Sequence, residues 1–319
     1  MVGETDKRRR AATEIRIPAR LPRAAGLVAI SLAATVAVAS GASAFGPAGA
    51  APTAPAPLPA AAVPAASSPG DIPHGTTETI QLRSGDADGH ERSVWIYRPA
   101  VPDSSDLPVV YFLHGYPGSQ DDLAKAGFPA LLDAAFAAGA APFVVVAPNG
   151  RSELHPDTEW ADSTDGKVML ETFIVERVIA AVEGDHPRDR AHRAIAGHSM
   201  GGYGAMNLGL RHPDVFGQIV SIAGYYHVDD PDLMGGNTPA WIGDNSPDRH
   251  VAAGAHSRTL LIADAEEHDR LIIGEALRYQ ALAQADGQTP AYVLAPGGHT
   301  WAMVAGQIPT IVTFLDAGW

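Results

Sequence analysis

Cysteine is absent from all 319 residues. No disulfide can staple this fold, so its stability must come from a hydrophobic core. A long apolar run is lacking as well. The uncharged stretch at residues 24–39, "AAGLVAISLAATVAVA", has 16 residues, short of the about 20 that a membrane span needs. Positive charge is scarce outside the N-terminus. Of 22 basic and 36 acidic residues, residues 1–44 hold seven and three, which leaves 15 basic against 33 acidic and a net charge of −18. Nucleic acid or an anionic membrane would need a positive face, so neither is an expected partner.

What the N-terminus does have is ordered. Arg8, Arg9, Arg10, Arg16, Arg20 and Arg23 precede the apolar stretch, and "ASAF" at residues 42–45 follows it. A basic region, a short apolar region and a small-x-small site together predict a secretory signal peptide over residues 1–44, either cleaved or kept as an anchor. Residues 45–70 are mostly Ala and Pro, a composition that buries no core and favours an extended, semi-rigid spacer. Residues 71–319 remain, enough for one large domain. The expected location is secreted or associated with the cell envelope.

From Glu78 onward, strand-like and helix-like segments alternate. "ETIQLRS" and "RSVWIYRP", joined by the turn-rich "GDADGHE", predict an antiparallel hairpin. "PVVYFLHG", "PFVVVAPNG", "RAIAGH", "FGQIVSIAG", "RTLLIAD" and "PAYVLAPGG" read as further strands, several apolar without alternation, as buried central strands require. "DDLAKAGFPALLDAAFAAG", "VMLETFIVERVIAAVEG", "MGGYGAMNLGLRHP", "RLIIGEALRYQALAQADG" and "WAMVAGQIPTIVTFLDAGW" read as helices. Such alternation predicts an α/β fold with a mostly parallel sheet and helices on both faces. Reactive groups in such sheets lie at the carboxyl ends of the strands.

Gly197-His198-Ser199-Met200-Gly201 fits G-x-S-x-G, with a strand expected to end at Ala196 and a helix to begin at Ser199. This is the setting of a nucleophile elbow, where a strained serine is flanked by glycines that let neighbouring backbone approach. A serine nucleophile needs a base, and the base needs a carboxylate. "DAEEHDRLIIG" after the penultimate strand holds Asp264, Glu266, Glu267 and Asp269, and "APGGHTW" after the last strand holds His299. Serine, acid and histidine thus follow in the α/β-hydrolase order. "FLHGYPGS" at residues 112–119 leaves another central strand, so the oxyanion donors are expected to be the amides of Tyr116 and Met200. His114 precedes that turn and reads as a structural histidine.

These segments resemble the esterase branch of the α/β-hydrolases, which includes feruloyl and other carbohydrate esterases, S-formylglutathione hydrolases and mycolyltransferases. "YFLHGYPGS", "APNG" with "EWADS", "ETFIVERVIAAVE", "AIAGHSMGGYGAMNLGLRHPDVF", "HDRLIIGEALRYQAL" and "PGGHTW" carry the resemblance, in order, from Tyr111 to Trp301. It implies the α/β-hydrolase fold, Ser199 as nucleophile, His299 as base and a carboxylate near Asp269 as the third member. The family's acid usually closes a strand-Gly-x-x-Asp turn, whereas "ADAEEHD" has no glycine, so Glu267 stands as the alternative to Asp269.

The leading expectation is a secreted serine esterase cleaving a small-molecule or glycan acyl ester through an acyl-enzyme, without a cofactor. Its variants are acyl transfer to a sugar hydroxyl, as in mycolyltransferases, and a non-catalytic envelope binding module. A peptidase of this fold would carry a larger gating insertion. Trp160, Tyr225, Tyr226, Trp241 and Trp301 are candidates either for a substrate cleft or for core packing. "EEHD" lacks metal-ligand spacing with a second histidine, so no metal is expected.

Overall fold

The computed structural model describes residues 73–86, 89–266 and 270–319. The leader expected at 1–44 and the spacer at 45–70 lie outside the described residues. Eight strands form one sheet: β1 (Thr76–Arg83), β2 (Glu91–Arg98), β3 (Val109–Leu113), β4 (Val144–Pro148), β5 (Arg193–His198), β6 (Gln218–Ile222), β7 (Arg258–Asp264) and β8 (Ala291–Ala295). Their spatial order is β1-β2-β4-β3-β5-β6-β7-β8. The first two strands are antiparallel to their neighbours, and β4, β3, β5, β6, β7 and β8 run parallel. The expected hairpin is there, with Thr79 opposite Trp95.

The central strands carry no polar alternation because both faces of the sheet are covered, yet their side chains still sort with period two. Val109, Tyr111, Leu113, Ile195, Ile219 and Leu261 enter one core, against the Met200–Arg211 helix and the helical segment 170–183. Val110, Phe112, Ala194, Ala196, Val220 and Ile262 enter the other, against the helices Phe128–Ala137 and Ile308–Asp316. Burial of each large side chain, such as Ile195 or Val220, stabilises the fold by about 1.5–3 kcal/mol.

Three elements differ from the sequence-based expectation. The C-terminal segment forms two helices, Trp301–Gly306 and Ile308–Asp316, because Pro309 takes a first-turn position and starts a new helix. The segment 170–183 is α-helical at both ends but π-helical over Phe173–Val178. Strand β5 runs to His198 and the next helix starts at Met200, leaving Ser199 alone between them.

Candidate active site

Ser199 has φ 60 and ψ −121, a left-handed conformation that L-residues rarely adopt. The glycines around it make that turn feasible. A Cβ on Gly197 would overlap the Gly201 carbonyl, and one on Gly201 would overlap the Leu113 carbonyl at the end of β3. Strand, serine and helix therefore pack backbone to backbone. The Ser199 N–H donates to the Ile222 carbonyl of β6 at 2.8 Å, and its own carbonyl accepts from the Tyr203 N–H at 3.0 Å. Every residue of the helix from Met200 to Leu210 is buried. Its N-terminal amides lie at the serine, where a developing negative charge would be favoured.

His299 sits on the loop after β8. Gly297 and Gly298, at φ 122 and 71, turn the chain, and Thr300 caps the next helix by accepting from the Met303 N–H at 3.2 Å. The half-buried His299 ring lies 4.7 Å from the ring of His198, the residue before Ser199. The structure thus brings the histidine loop to the elbow. Trp301 backs the pair, 5.3 Å from the His198 ring.

His198 was not singled out by sequence reasoning, although its place inside the motif is the signal that could have found it. It is 5% exposed. Burial drives its pKa down to about 3, the adjacent His299 adds to that, and Asp264 opposes it. The ring therefore stays neutral through the physiological pH range.

Asp264 closes β7, pairs in register with Ala295 of β8 and is fully buried. Its Oδ1 accepts the Glu266 N–H at 2.8 Å. The Glu266 carboxylate in turn accepts the Gly297 N–H at 3.4 Å, which ties the acidic turn to the histidine loop. Asp269 and its alternative Glu267 both lie outside the described residues.

On the other side, Gly115 presses against the elbow, so that a Cβ there would lie 3.0 Å from the Ser199 Cβ and the His198 carbonyl. The next side chain, Tyr116, is 56% exposed, so what this turn brings toward the serine is backbone. Met200, the other expected oxyanion donor, is buried, and its sulfur accepts the Thr158 hydroxyl at 3.8 Å. His114 is locked in one tautomer. Its Nδ1 donates to the Gly115 carbonyl at 2.8 Å and its Nε2 accepts the Gly150 N–H at 2.9 Å. Burial holds it at about 4, so it is a neutral strut of the loop.

The aromatic candidates divide. Trp160 and Tyr226 are core residues, at 0% and 1% exposure, and the Trp160 indole donates to the His114 carbonyl at 3.1 Å. Tyr225, Trp241 and Trp301 are half-buried and reach the surface. Among the described residues, no group of three or more His, Asp or Glu is placed to hold a metal ion.

A strained serine between a parallel strand and a buried helix, with a histidine loop from the last strand beside it, defines an α/β-hydrolase. Residues 85–314 match the family model described as "Putative esterase", and the chain belongs to that family. It is an esterase in the broad sense, an acyl ester hydrolase or acyltransferase. The S-formylglutathione hydrolase of Paracoccus denitrificans (strain Pd 1222) is 22% identical over 234 residues, 69% of this chain and 82% of that protein. A ferulic acid esterase structure is similar at TM-score 0.68 and 23% identity, over 77% of this chain and 100% of the other. MPT51 (FbpC1) of Mycobacterium tuberculosis is similar at TM-score 0.59 and 18% identity, over 75% and 98%.

Proposed function

We propose that this chain is an exported serine esterase working through an acyl-enzyme. The observation that carries this reading is the Ser199 elbow, strained at φ 60 and placed next to His198, whose ring lies 4.7 Å from that of His299. In this mechanism the Ser199 Oγ attacks the ester carbonyl carbon while His299 takes the hydroxyl proton. Negative charge on the carbonyl oxygen is met by the amides of Met200 and Tyr116. His299 returns the proton to the leaving alcohol as the carbonyl–oxygen bond breaks. Water then attacks the acyl-enzyme, with His299 again taking and returning a proton, and the carboxylic acid leaves. Asp269, or Glu267 in its place, orients the imidazole. The basic and apolar leader with its Ala/Pro spacer supports work outside the cell or at its envelope. A sugar hydroxyl replacing water would turn the same intermediate into acyl transfer.

Two measurements test this. A fluorophosphonate probe is expected to label Ser199 stoichiometrically, and Ser199→Ala to abolish labelling in a folded protein; label elsewhere, or none, overturns the acyl-enzyme. Hydrolysis of nitrophenyl esters of increasing chain length, with feruloyl esters and an added alcohol acceptor, then separates hydrolysis from transfer and defines the acyl group.

A further inference from the structure

Beside the elbow, a carboxyl group is buried in a place where the reaction above does not use it. Glu159 is 1% exposed, and both it and Trp160 have left-handed backbones, at φ 48 and 60. Side chains other than glycine hold such conformations only where their surroundings over-determine them. Those surroundings are the elbow's own neighbours. The preceding Thr158 hydroxyl reaches the sulfur of Met200, the residue after Ser199, and the following Trp160 indole holds the His114 carbonyl.

The Glu159 Oε1 accepts the hydroxyl of Tyr225. Tyr225 arrives from the opposite side, three residues beyond the Ile222 carbonyl that binds the Ser199 amide. Gly224 brings it in so closely that a Cβ there would lie 2.8 Å from the Gly202 backbone. The Tyr225 ring packs at a tilt against Tyr203, in the first turn after Ser199, with centroids 5.0 Å apart. Tyr225 is therefore a half-buried aromatic at the carboxyl end of the sheet, with its hydroxyl tied inward to Glu159.

The second oxygen of Glu159 completes the device. Oε2 of Glu159 and Oδ1 of Asp157 are both buried with no hydrogen-bond partner among the described residues. Burial first, then the charges of nearby Asp157 and Asp229, push the Glu159 carboxyl well above the usual range. Burial likewise raises Asp157, and the charges of Asp229 and Asp230 add to it. The neutral form of Glu159 is therefore favoured, with its Oε1 accepting from Tyr225. Tyr203, packed against Tyr225, also feels the charges of Arg211 and Asp248.

We propose that Glu159 is a positioning residue that, through its hydrogen bond to Tyr225, fixes Tyr225 as a wall of the acyl-ester cleft beside Ser199 and so sets which acyl groups fit. This rests on the esterase reading and names a specificity element within it. Ionisation of Glu159 sets a second buried carboxylate against the charge of Asp157 and displaces Glu159 from Tyr225.

The test compares Glu159→Gln, Glu159→Ala and Tyr225→Phe with the unaltered protein, on nitrophenyl esters from acetate to octanoate between pH 6 and 10. In the unaltered protein KM is expected to rise on the alkaline side while kcat holds. Glu159→Gln stays neutral at every pH and keeps an acceptor for Tyr225, so at pH 7 its KM stays within about threefold and the alkaline rise disappears. Glu159→Ala raises KM roughly tenfold at every pH and flattens the dependence on chain length, the size of effect that lost pocket contacts produce. Tyr225→Phe, which retains the ring but loses the tether, falls between them. Melting curves give a readout independent of catalysis. A carboxyl raised in the folded state binds a proton that the unfolded chain has lost, so stability falls as pH rises from about 4.5 through the raised value. Glu159→Gln is expected to remove that slope. If Glu159→Gln matches Glu159→Ala in KM, or leaves both the pH profile and the melting slope unchanged, the proposal is wrong. A failure of Ser199 to take the fluorophosphonate would instead overturn the serine mechanism, while the KM and melting comparisons would still decide the role of Glu159.

Discussion

Replacing Ser199 with glycine and with alanine separates the cost of the elbow from the chemistry it serves. At φ 60 and ψ −121 any Cβ is strained, at about 1–3 kcal/mol for such a position. The hydroxyl makes no capping hydrogen bond to the helix that follows, so removing it alone changes little in the fold. Ser199→Ala keeps the Cβ and hence the strain. Ser199→Gly releases it, offset by about 0.5–1 kcal/mol from the greater freedom of glycine in the unfolded chain. The glycine variant is therefore expected to be the more stable by about 1 kcal/mol, or about 2–4 °C in Tm for a domain of this size. At an ordinary residue with negative φ the order is reversed, alanine being more stable than glycine. The assay is thermal melting of the two variants side by side, both failing to label with fluorophosphonate. An alanine variant as stable as the glycine variant, or more so, refutes the strain argument and with it the elbow.

Three further outcomes are expected. Asp269→Asn is expected to cut turnover by about 10⁴ and Glu267→Gln to leave most of it, as measured by kcat on a nitrophenyl ester; the reverse result moves the acid to Glu267. Gly115→Ala puts a Cβ 3.0 Å from the Ser199 Cβ, displacing the turn that carries Tyr116, and is expected to lower kcat about 10²-fold with KM little changed. His114 and His198, held at about 4 and about 3, are expected to give imidazole resonances that do not move between pH 5 and 8. Because the unfolded chain protonates both rings near pH ~6.5, these two groups withdraw stability as pH falls from there toward 4, by up to about 2.7 kcal/mol per pH unit together; replacing either ring with glutamine should shrink that slope.

Much of the fold is legible because burial on both faces leaves a plain mark. "PVVYFLHG" and "PFVVVAPNG" have no polar alternation, and both form central strands with every residue of β3 and β4 buried. The antiparallel hairpin announces itself through the turn-rich "GDADGHE". Pro309 was present to be read as a break but stands inside an apolar pattern that continues on both sides of it. Periodicity alone joins what the proline divides, at Gln307. The π-helical turns at Phe173–Val178 change the hydrogen-bond register while keeping the same face buried, so a hydrophobic pattern carries no trace of them.

The site is legible only where glycine records a close approach. Gly197 and Gly201 mark the elbow because backbone passes backbone there, and Gly297 and Gly298 mark the histidine loop because the chain turns through positive φ. Glu159 and Trp160 adopt left-handed conformations without glycine, so composition gives no warning of them. Their conformation is imposed by contacts remote in sequence. Tyr225 is 66 residues from Glu159, and His114 is 46 residues from Trp160. A local rule sees neither contact, yet both meet at the first turn after Ser199. The same reasoning explains why the acid is the least legible member of the site. "DAEEHD" offers four carboxylates within six residues and no glycine to mark the turn. Where a turn needs no glycine, position along the chain stops reporting direction in space, and the choice passes to whichever carboxylate the fold turns toward His299.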